Sequence, residues 1–401
     1  MDKIVITGIG VISSLGFSKE EFWDGLLTGR QGTAPGEIGK ENGGAQQPRQ
    51  LGHVTGFKAK RYMKRPVLKP LDMVTRYAIA GVGQAIADAG LEINETNQQR
   101  TGVIAGSMYQ GIGNIFKFKK ACHDNGQEHL SPLFFPGIVF NSLSGQAAIE
   151  YKIKGPNNTI ASGTASGLTA VAKGMDYILA GKADTVIAGG AEMIHDFVFH
   201  KYERLGRLAQ RGADERCRPF AKDRDGFILG EGSCFFVLER ESAARARGAT
   251  IHAVLDGYGA AFCPSPGAEA ESLAGCLKRS GGDMAPDIIV SDSSGCHDLD
   301  AVEAAAIGKS YGASDGPLIT GNKGNIGHSL GASGAFNLCQ GVMSLAAGQV
   351  APLTGMAEPE FALNYARQAG PMPVSRVMVN AIDFNNNYLA MSISKPAEVT
   401  P

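Results

Sequence analysis

The chain has 401 residues, 43% apolar and 19% charged, enough to build a large buried core divided into two subdomains. Its formal charge of −1 argues against nucleic acid or an anionic membrane as partner. It has no apolar run of about 18 residues, the length a spanning helix needs. Seven scattered cysteines, an odd number without a Cys-x-x-Cys pair, point to reduced thiols and a cytoplasmic location. The first residues read as a strand and not as a signal peptide.

Lys3 to Ile9 is a short apolar strand, and Ser18 to Thr28 a helix with Ser18 as N-cap and Glu20-Glu21 in its first turn. Residues 32–53, rich in Gly, Gln and Pro, read as a surface loop. Met73 to Ala89 carries apolar positions at helical spacing, and Thr101 to Ser107 is a buried strand. In the segment from Met108 to Lys119, Tyr109, Ile112 and Phe116 recur at i, i+3, i+7, predicting one helical face.

Gly155-Pro156-Asn157-Asn158-Thr159-Ile160-Ala161-Ser162-Gly163-Thr164-Ala165-Ser166-Gly167 ends a polar run and opens an apolar helix, Leu168 to Leu179. Small residues let the backbone turn sharply there and leave room for close approach. A strand entering a helix through such a turn sets a side chain over the helix N-terminus, where free N–H groups favour negative charge. Enzymes place nucleophiles on turns of this kind. This turn offers Ser162, Thr164 and Ser166 but no cysteine.

Thr185 to Glu192 reads as a strand and then a Gly-rich turn, Gly189-Gly190-Ala191-Glu192; Ser233 to Glu239 is a strand, and Glu241 to Arg247 a charged helix. From Ala249 onward strand and helix alternate again: Ile251–Leu255, Ile288–Ser291, Ala301–Tyr311, His328–Ala346 and Arg376–Ile382. Alternation in two similar halves, 1–248 and 249–401, predicts an α/β architecture rich in parallel strands.

The elbow around Thr164, the Gly189-Gly190-Ala191-Glu192 turn, the run from Arg218 to Gly232 and the Lys323 to Gly334 segment together resemble the β-ketoacyl synthases. These are the condensing enzymes of fatty-acid and polyketide synthesis. The resemblance covers nearly the whole chain. It implies a thiolase-like fold, two related halves in a five-layer αβαβα arrangement, and no cofactor or metal. In that family a cysteine at the Thr164 position carries the acyl chain, and two histidines stabilise the enolate formed by decarboxylation. A thiolate suits the task because it ionises near neutrality and is intrinsically nucleophilic. A threonine hydroxyl needs an adjacent base, so Thr164 reads as capping or packing the turn.

Counting back from Asp300 and Glu303, which fit the family, puts Asp292 at the first histidine position. A carboxylate there would repel an enolate oxygen where a donor is needed. His297 would serve only if the loop were reshaped, and Cys296 beside it reads as a small buried hydrophobe. The second histidine matches His328, with Lys323 as the family lysine; both also fit a structural role. Phe384 matches the gating aromatic of the last loop, and Asn385 and Asn386 replace the two glycines after it.

A kept scaffold with a missing nucleophile resembles the chain-length factor of type II polyketide synthases, although threonine departs from the glutamine usual in that subunit. The resemblance implies a heterodimer with a ketosynthase α subunit and an acyl carrier protein bearing malonyl or polyketide groups. It places Tyr109, Ile112, Phe116 and Phe134 along the substrate tunnel, with Phe384 at its gate. Two other readings stand beside it. One is an acyltransferase or decarboxylase that uses Thr164 or Cys296 with His328. The other is an acyl-binding or regulatory homodimer.

Overall fold

The structure is a computed structural model that describes residues 2–39, 48–63, 71–126, 132–210, 212–282 and 284–397. Along the first half run β1 (Ile4–Ile12), α1 (Lys19–Leu27), α2 (Met73–Asp88), β2 (Thr101–Gly106), α3 (Ile112–Asn125), α4 (Ser142–Tyr151) and β3 (Asn157–Ile160). Then come α5 (Ser166–Leu179), β4 (Thr185–Glu192), α6 (Asp196–Arg204), β5 (Gly232–Arg240) and α7 (Glu241–Ala246). The second half holds β6 (Ala253–Phe262), α8 (Glu269–Gly281), β7 (Ile288–Val290), α9 (His297–Tyr311), β8 (Leu318–Thr320) and α10 (Lys323–Ile326). It ends with α11 (Ser333–Ala347), β9 (Arg376–Ile382) and β10 (Asn387–Ser394).

Local chemistry sets several of these starts. Ser18 Oγ accepts the N–H of Glu21 at 3.2 Å and opens α1, as its N-cap position predicts. Asp72 Oδ1 accepts the N–H of Thr75 at 3.1 Å and opens α2. The stretch 32–53 is not wholly loop: Ala34–Gly36 pairs antiparallel with Arg49–Leu51.

The ten long-sheet strands lie in the order β8-β7-β9-β10-β6-β1-β5-β4-β2-β3. Each half therefore repeats one order, with its first strand at the join, then its fifth, fourth, second and third. Pairing direction repeats as well. β1/β5 and β5/β4 are antiparallel, while β4/β2 and β2/β3 are parallel. β6/β10 and β10/β9 are antiparallel, while β9/β7 and β7/β8 are parallel. The halves meet through an antiparallel β1/β6 contact, Ile4 opposite Leu255. The sheet is thus mixed, not rich in parallel strands. Helical connections imply parallel neighbours, but in each half the fourth strand passes by an antiparallel step to the fifth, which returns beside the first.

Alternation along each strand sorts side chains into layers. Val103 and Ile187 point into the cluster under α2 and α4, whereas Ile104, Val186 and Ala188 point toward α5. Ile289 and Met378 pack under α8 and α9, while Ile288, Val290, Val377 and Val379 face α11. Helices α5 and α11 lie between the two sheet halves, which gives five layers. Almost every residue of α11 is buried. A Cβ at Gly334 would lie 2.7 Å from Leu168 Cβ, so the glycine permits the two central helices to touch. This is the αβαβα, thiolase-like architecture that the sequence resemblance implies.

Candidate active site

Both central helices begin with a tight turn, Gly163–Ala165 before α5 and Leu330–Ala332 before α11. The first turn carries Thr164 and the second follows His328. The loop between β9 and β10 closes over the first of them.

Thr164 is fully buried. Its hydroxyl donates to the carbonyl oxygen of Ile382 at 2.6 Å, and its N–H donates to Asp383 Oδ1 at 2.8 Å. The hydroxyl proton is held by a peptide carbonyl, with the Asp383 carboxylate farther off at 3.4 Å, which leaves a poorly activated alcohol. The N–H at the head of this turn is the natural donor to a developing oxyanion. Here a carboxylate of the same chain already holds it. Asp383 directly precedes Phe384 in the chain, and its contact with an elbow 219 positions away is not readable in the sequence.

Asp292 is buried and has three donors: Lys323 Nζ at 2.7 Å and Asn337 Nδ2 at 2.8 Å on Oδ1, and the N–H of Ile382 at 2.8 Å on Oδ2. Burial raises its carboxyl above the ordinary value, and the Lys323 ammonium opposes that shift. Lys323 Nζ also donates to the Asp292 carbonyl. The Asp292 carboxylate, expected to repel an enolate oxygen, is engaged in a buried ion pair with Lys323. Beneath the pair, Glu303 Oε1 accepts the Asp292 N–H at 2.9 Å and Asn380 Nδ2 at 2.8 Å. Burial, followed by the nearby Asp292 charge, pushes Glu303 up to about 8.

His328 is buried, and its Nδ1 accepts from the Ser333 hydroxyl at 2.7 Å and the Leu330 N–H at 3.2 Å. Two donors on Nδ1 place the ring proton on Nε2. Burial, then the Lys323 charge, drives its pKa well below the ordinary histidine value, so the ring is neutral. The ring caps the turn before α11, as the structural reading of His328 anticipates. His297 is exposed at the start of α9 and does not enter the site. Cys296 is buried, and burial pushes its thiol up to about 11, so it stays protonated at neutral pH.

Phe384 is half-buried among aromatic rings. Ring centroids of Tyr202, Phe227 and His328 lie 5.3, 5.7 and 5.7 Å away, and the Arg207 guanidinium sits 5.7 Å above its face. Arg207 is itself ion-paired to Asp298. Sequence reasoning missed Tyr202, Phe227 and Arg207. Phe227 sits inside the long Arg218–Gly232 run, a segment with no catalytic group to draw attention. Within the loop Asn386 takes φ 61°, and Asp383 Oδ2 accepts Asn385 N–H at 2.9 Å and Asn387 Nδ2 at 3.3 Å.

The expected tunnel face divides. Tyr109 precedes α3, because Gly111 at φ 78° caps that helix, so the i, i+3, i+7 set is not one helical stripe. Tyr109 and Ile112 are half-buried and join Phe384 around one apolar cluster. The Tyr109 hydroxyl donates to that of Tyr202 at 3.2 Å and accepts from Lys201 Nζ at 2.7 Å. Phe116 instead is 40% exposed, stacked on His195 at 5.5 Å and Phe197 at 4.9 Å. Phe134 falls in the short helix Pro132–Gly137, and its side chain lies outside the described part of the structure. Among the described residues no group of three or more His, Cys, Asp or Glu is placed to hold a metal ion. Among the same residues no helix is long and apolar enough to cross a membrane.

The family model for the β-ketoacyl synthase N-terminal domain matches residues 1–244, and that for the C-terminal domain matches 249–357. The 3-oxoacyl-[acyl-carrier-protein] synthase 2 of Coxiella burnetii is 32% identical over 98% of both chains. The protein of that name from Synechocystis is 30% identical over 98% of both. Among solved structures, the ishigamide ketosynthase/chain length factor superposes with a TM-score of 0.89 at 28% identity, covering 99% of this chain and 100% of that one. A type II polyketide ketosynthase in complex with its acyl-carrier protein gives 0.85 at 23% identity, covering 99% and 100%, a likeness of fold. With family models matching both halves and relatives at 30% identity or more over nearly the full length, the chain belongs to the β-ketoacyl synthase family.

Proposed function

We propose that this chain is a chain-length-factor-like subunit of a type II polyketide synthase. It condenses nothing itself, pairs with an active ketosynthase, and helps to form and limit the tunnel that holds the growing polyketide. The observation that carries this reading is the state of Thr164. Both groups that would do acyl chemistry, the hydroxyl and the N–H, are bonded inside the chain at 2.6 and 2.8 Å, on an otherwise intact scaffold. The likeness to the ishigamide ketosynthase/chain length factor, over nearly the full length of both chains, supports the same reading. The curated relatives carry names of condensing enzymes, and that activity needs the nucleophile this chain lacks. An acyltransferase on Cys296 is disfavoured by a thiol that stays protonated until about 11. The partners are a ketosynthase α subunit and an acyl carrier protein loaded with malonyl or polyketide, in the cytoplasm.

The test is coexpression with a candidate ketosynthase and its carrier protein. The expected result is copurification as a heterodimer, with ketide formation only when both chains are present. A chain that purifies alone and forms ketides from malonyl-carrier protein would overturn the reading.

A further inference from the structure

We propose that Asp383 is a built-in anion that occupies the donor of the elbow, so that this chain refuses acyl thioesters whatever residue stands at position 164. The proposal rests on the reading of the chain as a non-condensing subunit and extends it from the missing thiol to a second, independent barrier.

Asp383 is fully buried, and among the described residues it has no ion-pair partner. Its oxygens are met by neutral donors only, three N–H groups and one hydroxyl. Oδ1 takes the Thr164 N–H at 2.8 Å and lies 3.4 Å from the Thr164 hydroxyl, while Oδ2 takes the Asn385 N–H at 2.9 Å. The fit depends on Gly163 at φ 63°, whose added Cβ would fall 1.7 Å from Asp383 Oδ1. Backbone, glycine and gate loop therefore converge on one carboxylate oxygen.

In acyl transfer to this turn, a thiolate attacks the thioester carbonyl carbon. Electrons move onto the carbonyl oxygen, which the elbow N–H would stabilise. The electrons return to the carbonyl, the old carbon–sulfur bond breaks, and the departing thiolate takes from solvent the proton that the attacking thiol released. Asp383 opposes two of these stages. It occupies the oxyanion donor with a group of the same charge. It also places a negative charge beside any thiolate at position 164, which disfavours ionisation.

The experiment compares full-length Thr164→Cys with Thr164→Cys/Asp383→Gly and Thr164→Cys/Asp383→Asn. The probes are S-acetyl-pantetheine and iodoacetamide, read by intact mass with peptide mapping. The wild-type chain supplies the background from its native cysteines, and melting curves establish that each variant is folded. The expected result is that the single variant reacts slowly, both double variants acylate at least ten-fold faster, and their alkylation pH profiles shift downward. The asparagine variant keeps the shape and an acceptor oxygen but not the charge, so it stands if the glycine variant fails to fold. Equal rates in the single and both double variants overturn the proposal; opening by glycine without opening by asparagine supports it through occupation of the donor, which the asparagine oxygen still fills. Copurification of the wild-type chain with a ketosynthase uses no introduced thiol. A failure of the subunit reading is therefore told apart from a failure of the Asp383 barrier.

Discussion

With its hydroxyl and its N–H both bonded inside the chain, Thr164 should form no acyl adduct after incubation with acyl- or malonyl-carrier protein. Intact mass reads the outcome, and an adduct mapped to that residue would refute it. The buried carboxyl below Asp292 gives a pH prediction. Glu303 is raised to about 8 in the fold, against roughly 4.3 for an exposed glutamate. A raised carboxyl favours the protonated folded state, so its stabilising contribution is complete below the unfolded value and is lost as pH rises through about 8. His328, shifted downward, acts in the opposite sense, with a contribution lost as pH falls through the unfolded histidine value. Comparing Glu303→Gln with the wild type isolates the carboxyl. In urea titrations the stability of the variant relative to wild type should improve steadily from about pH 5 to about pH 8 and then level off. A difference that stays constant over that range would show that Glu303 ionises normally. These residues differ in how far the sequence reveals them. A missing cysteine in a small-residue elbow is local information, present in a dozen adjacent letters. The carboxylate that seals the elbow comes from the opposite half of the chain, and its contact exists only after folding. The same holds for Asp292, whose neutralising partner Lys323 is 31 positions away.

Secondary structure is well marked where composition changes at a boundary. Ser18 marks a helix start that the structure keeps, whereas the Gly-Gly-Ala-Glu segment, which reads as a turn, continues the strand to Glu192. The segment after β2 shows the opposite case. Helical spacing puts Tyr109, Ile112 and Phe116 on one face, but Gly111 starts the helix too late to include Tyr109. Periodicity reports spacing and not where a helix begins, and a left-handed glycine is invisible to it. β10 escapes sequence reading because Tyr388 to Ile393 is buried on both faces, so no alternation betrays it. The division of the aromatic set changes what its substitutions should do. Tyr109→Ala removes the ring that touches Tyr202 and Lys201 beside Phe384, and should lengthen the product made by the reconstituted ketosynthase pair. Phe116→Ala should leave product length unchanged. It should cost only about 1–2 kcal/mol, because an exposed ring forfeits part of the burial term. Its effect should fall on pairing, since Phe116 and Phe197 present adjoining apolar rings at the surface. Product analysis and copurification read the two effects separately, and a longer product from Phe116→Ala would return it to the tunnel.

At the scale of the molecule, strand–helix alternation announces two similar halves, and the repeated strand order with its repeated pairing directions bears that out. Strand direction is not legible, because hydrophobic pattern records burial but not the neighbour a strand will choose. The two halves share more than an edge. α5 from the first and α11 from the second form one middle layer, in contact at Gly334 and Leu168, and α11 is buried along nearly its whole length. Removing either half would expose the central helix of the other, an apolar surface no soluble unit leaves uncovered. The candidate site spans the same seam: Thr164 is bonded to Ile382 and Asp383, and Glu192 of β4 accepts the Gly331 N–H at 3.3 Å. We therefore expect one cooperative unfolding event for the chain alone. Calorimetry should give a single transition whose calorimetric and van't Hoff enthalpies agree, and residues 1–248 expressed alone should fail to give a stable monomer. Two separated transitions, or a folded soluble first half, would mean that each half completes its own core and that the middle layer is a docking surface between domains. Gly334→Leu offers the sharper form of the test. A bulky side chain pushed against Leu168 should lower the midpoint of the whole transition if the halves are one unit, and of only one step if they are two.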